Sequence, residues 1–112
     1  MNELIKSEAL CDKRGAGNEM KRLYSLTCFD FKLVTPVAKS IRLNGKSTCI
    51  RLEVIYWRIL EHAAERSGVS VNRLLAQLDR EVQEIYGGVG NFSSLVRAVA
   101  VSTLVRAAGM KL

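Results

Sequence analysis

Apolar residues recur at two different periods along this chain, and the change falls at Glu53. Before it, in KSIRLNGKSTCIRLE (residues 39–53), apolar and polar positions alternate, as in a strand with one buried face. After it they recur every three or four positions, the spacing of a helix with one buried side. Asn44-Gly45 interrupts the alternating stretch at its middle. Both central residues of a two-residue hairpin turn need positive φ, which this pair tolerates, so a hairpin is expected. Pairing across the turn sets Ile41 opposite Thr48 and Arg42 opposite Ser47. Ile41, Leu43, Thr48, Ile50 and Leu52 then share one face, and Arg42, Ser47, Cys49 and Arg51 share the other.

Three helices are expected to follow. The first covers 54–67, with Tyr56 or Trp57, Leu60, and Ala63 or Ala64 at helical spacing, and Gly68 ends it as a left-handed cap. Ser70 is a good N-cap for the second, whose stripe is Val71, Leu74, Leu75, Leu78, Val82 and Ile85. Gly87-Gly88 stops it. Asn91 or a following serine caps a third helix to about Ala108. That helix is apolar on several sides, which predicts wide burial between subunits. The N-terminal third is less patterned: ELIKSEAL suits a helical turn or two, and DKRGAGNE a loop. LTCFDFKLV (residues 26–34) alternates as a strand does, and Pro36 is expected to close it. Residues 1–37 therefore read as an N-terminal arm or accessory strand, hairpin-forming or extended, and 38–112 as the main domain.

A chain of 112 residues suits one such domain. Its net charge of +6 and pI near 9.6 favour an anionic partner, nucleic acid first and an anionic membrane surface second. Placement sharpens this. Residues 38–52 carry Lys39, Arg42, Lys46 and Arg51 with no acid, and from Tyr86 onward there is again none. The basic residues of the hairpin collect on one side of a ribbon, which scattered solubilising charges would not do.

Other chemistries find little support. Cys11, Cys28 and Cys49 form no CxxC pair and have no histidine at ligand spacing. This argues against a zinc site or a disulfide framework and for a reducing cytosol, so no metal or cofactor is expected. No apolar run reaches the length of a membrane span, about 20 residues, and a cytoplasmic, nucleoid-associated location follows. There is no Ser-His-Asp or Cys-His set and no carboxylate pair with a plausible site. LNGKST looks like the end of a phosphate loop, but the first glycine is missing and a strand follows where a helix should. The chain is expected not to be an enzyme.

The order strand, helix, GxS turn, helix, running through STCIRLEVIYWRILEHAAERSGVSVNRLLAQLD, resembles the ribbon-helix-helix fold of the Arc and Met repressors. KSIRLNGKSTCIRLE, Tyr56-Trp57, AAERSGVSVN and NFSS together resemble one bacterial subgroup of that family, over residues 38 to about 106. The resemblance implies a mainly α fold with a short β-ribbon, an intertwined homodimer with an extra C-terminal helix. Each chain would give one strand to an antiparallel ribbon that enters the DNA major groove. Ser47, Cys49 and Arg51 would then face base edges, with Lys39, Arg42, Lys46, Ser70, Val71, Asn72 and Arg73 at phosphates. Ile50, Leu52, Trp57, Leu60, Leu74, Leu75 and Leu78 would form the dimer core. Two departures stand out: Cys49 replaces the usual serine, and Lys46-Ser47 replaces a His-Arg pair. In the matched fold the two copies of Cys49 lie near the dyad. The implied function is a sequence-specific regulator, a repressor acting by promoter occlusion, able to assemble further along double-stranded DNA. The alternative is an antitoxin-like or adaptor dimer that binds a protein partner through its N-terminal arm or C-terminal helix.

Overall fold

The computed structural model describes residues 28–112, of which Val34–Leu112 form one compact unit. Two antiparallel strands, β1 (Pro36–Leu43) and β2 (Lys46–Glu53), are followed by three helices, α1 (Val54–Ser67), α2 (Val71–Tyr86) and α3 (Phe92–Ala107). The strand register is the expected one, with Ile41 opposite Thr48 and Arg42 opposite Ser47. Asn44 and Gly45 both adopt positive φ, 49° and 91°, as the tight turn requires.

Alternation decides what the hairpin buries. Ile41, Leu43, Ile50 and Leu52 lie beneath it and form one core with Trp57 and Leu60 of α1, Leu75 of α2 and Val96 of α3. Leu52 and Val96 are fully enclosed. The indole N–H of Trp57 donates to the Val37 carbonyl at 2.9 Å, so burying this large ring leaves no polar atom unpaired. Among the described residues no buried side-chain nitrogen or oxygen lacks a hydrogen-bond partner.

The helix boundaries follow their caps. Gly68 (φ 70°) and Gly87 (φ 72°) end α1 and α2 in the left-handed conformation. The Gly87 and Gly88 amides close back onto the Gln83 and Val82 carbonyls, a pairing that satisfies the last turn. Ser70 Oγ accepts from the Arg73 amide at 3.1 Å, and the Asn91 side chain accepts from the Ser94 amide at 3.1 Å.

Some expectations fail. The strand expected over residues 26–34 is instead a 3-10 turn at Phe31–Val34, with Leu26 and Thr27 outside the described residues. The Asp30 carboxylate accepts from the Lys32 amide and the Asp30 carbonyl from the Leu33 amide, each at 3.0 Å. Such a local aspartate turn competes with strand pairing, and apolar alternation does not reveal it. Pro36 opens β1 and closes nothing; the first residue of an edge strand needs no N–H. No disulfide framework is expected, yet Cys28 is disulfide-bonded, while Cys49 is free. Motif spacing tests for chelation, whereas a disulfide needs only two sulfurs brought close by the fold. The helical turn and loop expected in residues 1–19 fall outside the described residues.

Candidate nucleic-acid interface

The face of the hairpin turned away from the helices carries Ala38, Ser40 and Arg42 on β1 and Ser47, Cys49 and Arg51 on β2. Across the ladder Ala38 stands opposite Arg51, Ser40 opposite Cys49 and Arg42 opposite Ser47. The two arginines thus occupy opposite corners, with small polar side chains between them. At the end of β2 stands Glu53, the one acid among the outward positions, and Arg97 of α3 grips it with Nε at 2.9 Å and Nη2 at 3.4 Å. That hydrogen-bonded guanidinium is the main reason the Glu53 carboxyl sits below its ordinary pKa, with a smaller contribution from the charge of Arg51. The acid is neutralised where it would otherwise oppose an anionic ligand.

The two edges of the hairpin differ. On β1, the Arg42 amide donates to Asn72 Oδ1 and the Arg42 carbonyl accepts from Asn72 Nδ2, both at 2.9 Å. The backbone groups of Arg42 therefore point away from β2, which makes Arg42–Ser47 a pair without cross-strand bonds. By the two-residue repeat, Ser47, Cys49 and Arg51 direct their N–H and C=O groups off the free edge of β2. Among the described residues no further strand pairs there. The Arg51 carbonyl has a weak contact with Arg97 Nη2 at 3.5 Å.

Asn44 fastens the tip of the hairpin to α2. Its side chain donates to the Ala76 carbonyl at 3.2 Å and to Asp79 at 3.0 Å, and accepts from Arg80 at 3.3 Å. The N-terminus of α2 lies beside Arg42. Ser70 Oγ satisfies the Arg73 amide and the Ser70 carbonyl begins the intrahelical bonds at Leu74, so the amides of Val71 and Asn72 precede the ladder, available to an anion.

The residues expected at phosphates do not all stand together. Arg42 is on the outward face beside the α2 N-terminus. Lys39 stands on the helix-facing side of β1; its ammonium is 3.5 Å from Glu61 and lies over the Trp57 ring, 4.8 Å from the centroid. Lys46, at the tip, lines a shallow cleft with Asp79, Arg80 and Glu84. Of the expected dimer-core residues, Ile50, Leu52, Trp57, Leu60 and Leu75 are already buried within one chain. Leu74 and Leu78 are half-buried and line an open apolar groove with Ile59 and Ala63 of α1 and Val99 of α3. His62 is exposed on α1. Sequence reasoning missed Arg97, whose partner lies 44 positions away, and the backbone role of the Asn72 side chain, which no local pattern announces.

No helix among the described residues is long and apolar enough to cross a membrane. No curated protein matches the chain. Among solved structures it is similar to an uncharacterized protein from Bordetella pertussis Tohama I, with 29% identity and a TM-score of 0.67, over 86% of this chain and 74% of that one. The ribbon-helix-helix domain matches residues 36–104, from the first residue of β1 into the last turns of α3. The chain belongs to the ribbon-helix-helix family of DNA-binding regulators.

Proposed function

We propose that the chain binds double-stranded DNA sequence-specifically as a dimer and acts as a transcriptional regulator, repressing by occluding a promoter. The observation that carries this is the hairpin itself: a polar, arginine-bearing face over a buried underside, flanked by one closed edge and one open edge. A second copy pairing antiparallel through Ser47, Cys49 and Arg51 would extend the sheet to β1-β2-β2-β1. Strands lie about 4.8 Å apart. The two β2 strands then fit a major groove about 12 Å wide. The β1 strands fall roughly 7 Å to either side of the two-fold axis, toward the groove walls.

This arrangement divides the labour between the arginines. Arg51, on the inner strand, meets base edges and bonds bidentately to guanine, with Ser47 and Cys49 beside it. Arg42, on the outer strand, meets a phosphate, as do the Val71 and Asn72 amides and Arg73 at the start of α2. The groove between α1, α2 and α3 receives helices of the second copy, which covers Leu74 and Leu78. In this reading the ribbon differs from the one-strand-per-chain expectation, because each chain supplies a hairpin.

A second reading rests on α3, where Val101 and Leu104 are 42% and 46% exposed: a dimer that presents this helix to another protein. Selection of the purified protein on a random duplex library, at near-physiological salt, separates the two. Enrichment of a two-fold symmetric or tandem motif is expected. Retention of DNA without enrichment would leave charge-driven binding only, and no retention would move the weight to the protein-interaction reading.

A further inference from the structure

We infer that Asn72 is a positioning residue for DNA recognition: its side chain reads no DNA but hangs the reading hairpin from the N-terminus of α2. The inference rests on the function proposed above. One carboxamide takes both backbone groups of Arg42, with two bonds of 2.9 Å each. That is how neighbouring residues of an antiparallel pair exchange bonds, so the Asn72 side chain stands in for a third strand at this one position. It does so from the second residue of α2, beside the amides that face a phosphate.

Besides the ion pairs Lys39–Glu61 and Glu53–Arg97, three polar fastenings hold the hairpin to the helices. Asn44 holds the tip to Ala76, Asp79 and Arg80 of α2. Trp57 holds the base through the Val37 carbonyl. Asn72 holds the outer edge at Arg42, one residue before the end of β1, and it alone joins the outward-facing sheet to the helix end that anchors the phosphate. With the clasp removed, tip and base stay held and the core beneath is untouched, so the hairpin remains folded. What is lost is the fixed offset between the backbone anchor and the side chains that read bases. Bidentate base contacts are directional, while attraction to phosphate is tolerant of small shifts. Discrimination therefore suffers more than charge-driven affinity. Substituting the side chain also leaves the Asn72 backbone amide in place, so the phosphate site at the start of α2 survives.

The test compares wild type with Asn72→Ala on the random duplex pool and on the duplex that wild type enriches from it, at several salt concentrations. The variant should bind the enriched duplex roughly tenfold more weakly, the scale of one lost base contact. Its affinity for the random pool should change less than about twofold, with the salt slope unchanged. Amide exchange at Arg42 should accelerate in the variant, reporting that the clasp is gone. An equal loss of affinity for the enriched duplex and the random pool would make Asn72 a direct phosphate contact, which carries no sequence information, and overturn the inference. Unchanged discrimination, with Arg42 exchanging faster, would reduce the clasp to a stability device and overturn it as well. If Asn72→Ala compromises folding, Asn72→Ser suits a helix start but cannot bridge both groups of Arg42, and the same outcomes apply. If wild type enriches no duplex, the DNA reading fails first and the role of Asn72 with it; enrichment by wild type and equally by the variant sinks only the latter.

Discussion

The hairpin and α3 are both rich in apolar residues, yet one chain buries the apolar face of the first and encloses few of the apolar residues of the second. Ile41, Leu43, Ile50 and Leu52 are each no more than 7% exposed, while α3 buries only Val96 and Ala100. The difference lies in the pattern. A strand that alternates strictly has one apolar face, and the fold has one place to put it. A helix apolar on several sides has no single face to bury. In α3 the small step of Ala100 and the enclosed Val96 fix the inner side, and Val99, Val101 and Leu104 stay exposed. In the proposed dimer this outer side is the one expected to meet another chain.

The sharpest way to break the comparison is to charge the buried side. Leu60 of α1 is 5% exposed within the core that the hairpin covers. An unpaired carboxylate there has no partner and little water, so Leu60→Asp should cost more than about 4 kcal/mol and abolish the cooperative thermal transition. A variant that melts near the wild-type temperature would show that the core is not where the folding energy lies.

The outer side of α3 gives the second contrast. Leu104→Ser should leave the helical circular dichroism intact and weaken self-association, roughly tenfold or more if burial against a second copy removes most of its side chain from water. Sedimentation over a concentration series reads this directly. Unchanged self-association would assign this side to solvent or to a different protein. On the hairpin the corresponding change, Arg51→Ala, touches neither core nor edge. It should leave stability within about 0.5 kcal/mol and remove about 1–3 kcal/mol of discrimination at one base position, seen as a relaxed preference in duplex selection. An unaltered motif would take Arg51 out of the readout.

The same contrast sets how much is legible in the sequence. The turn at Asn44-Gly45, the pairing register, the ends of α1 and the caps Gly68, Ser70 and Asn91 all follow from local chemistry, because each is decided within a few residues. The outward face can be read too, since alternation fixes it once the register is known. What cannot be read depends on distant partners. Lys39 looks like one more cation of the basic stretch until the fold sets it beside Glu61 and Trp57. Asn72 looks like a helix-start residue, and only the closeness of β1 shows that its side-chain amide serves Arg42. The turn at Phe31–Val34 escapes for the opposite reason: a local bond to Asp30 outweighs an alternation that looks like a strand.

The smallest expected effect lies where the two regions meet. Arg97 of α3 holds Glu53 at the end of β2, and both side chains are about one-third exposed, so the pair contributes less than about 1 kcal/mol. Its pH dependence has a definite sign. The Glu53 carboxyl has a lower pKa folded than unfolded, first because of its hydrogen bond from Arg97. Its contribution is therefore complete above the ordinary glutamate range and is lost as pH falls through the lowered folded value. Glu53→Gln keeps the shape and removes the charge. At neutral pH the variant should melt slightly below wild type, and the gap should close on acidification below the glutamate range. Amide exchange in the first turns of α3 should follow the same course, because Arg97 is the residue that ties that helix to the hairpin. A gap that persists unchanged at acid pH would mean that the charge of Glu53 does not hold α3 to the sheet, and that packing of Val96 beneath β2 does so alone.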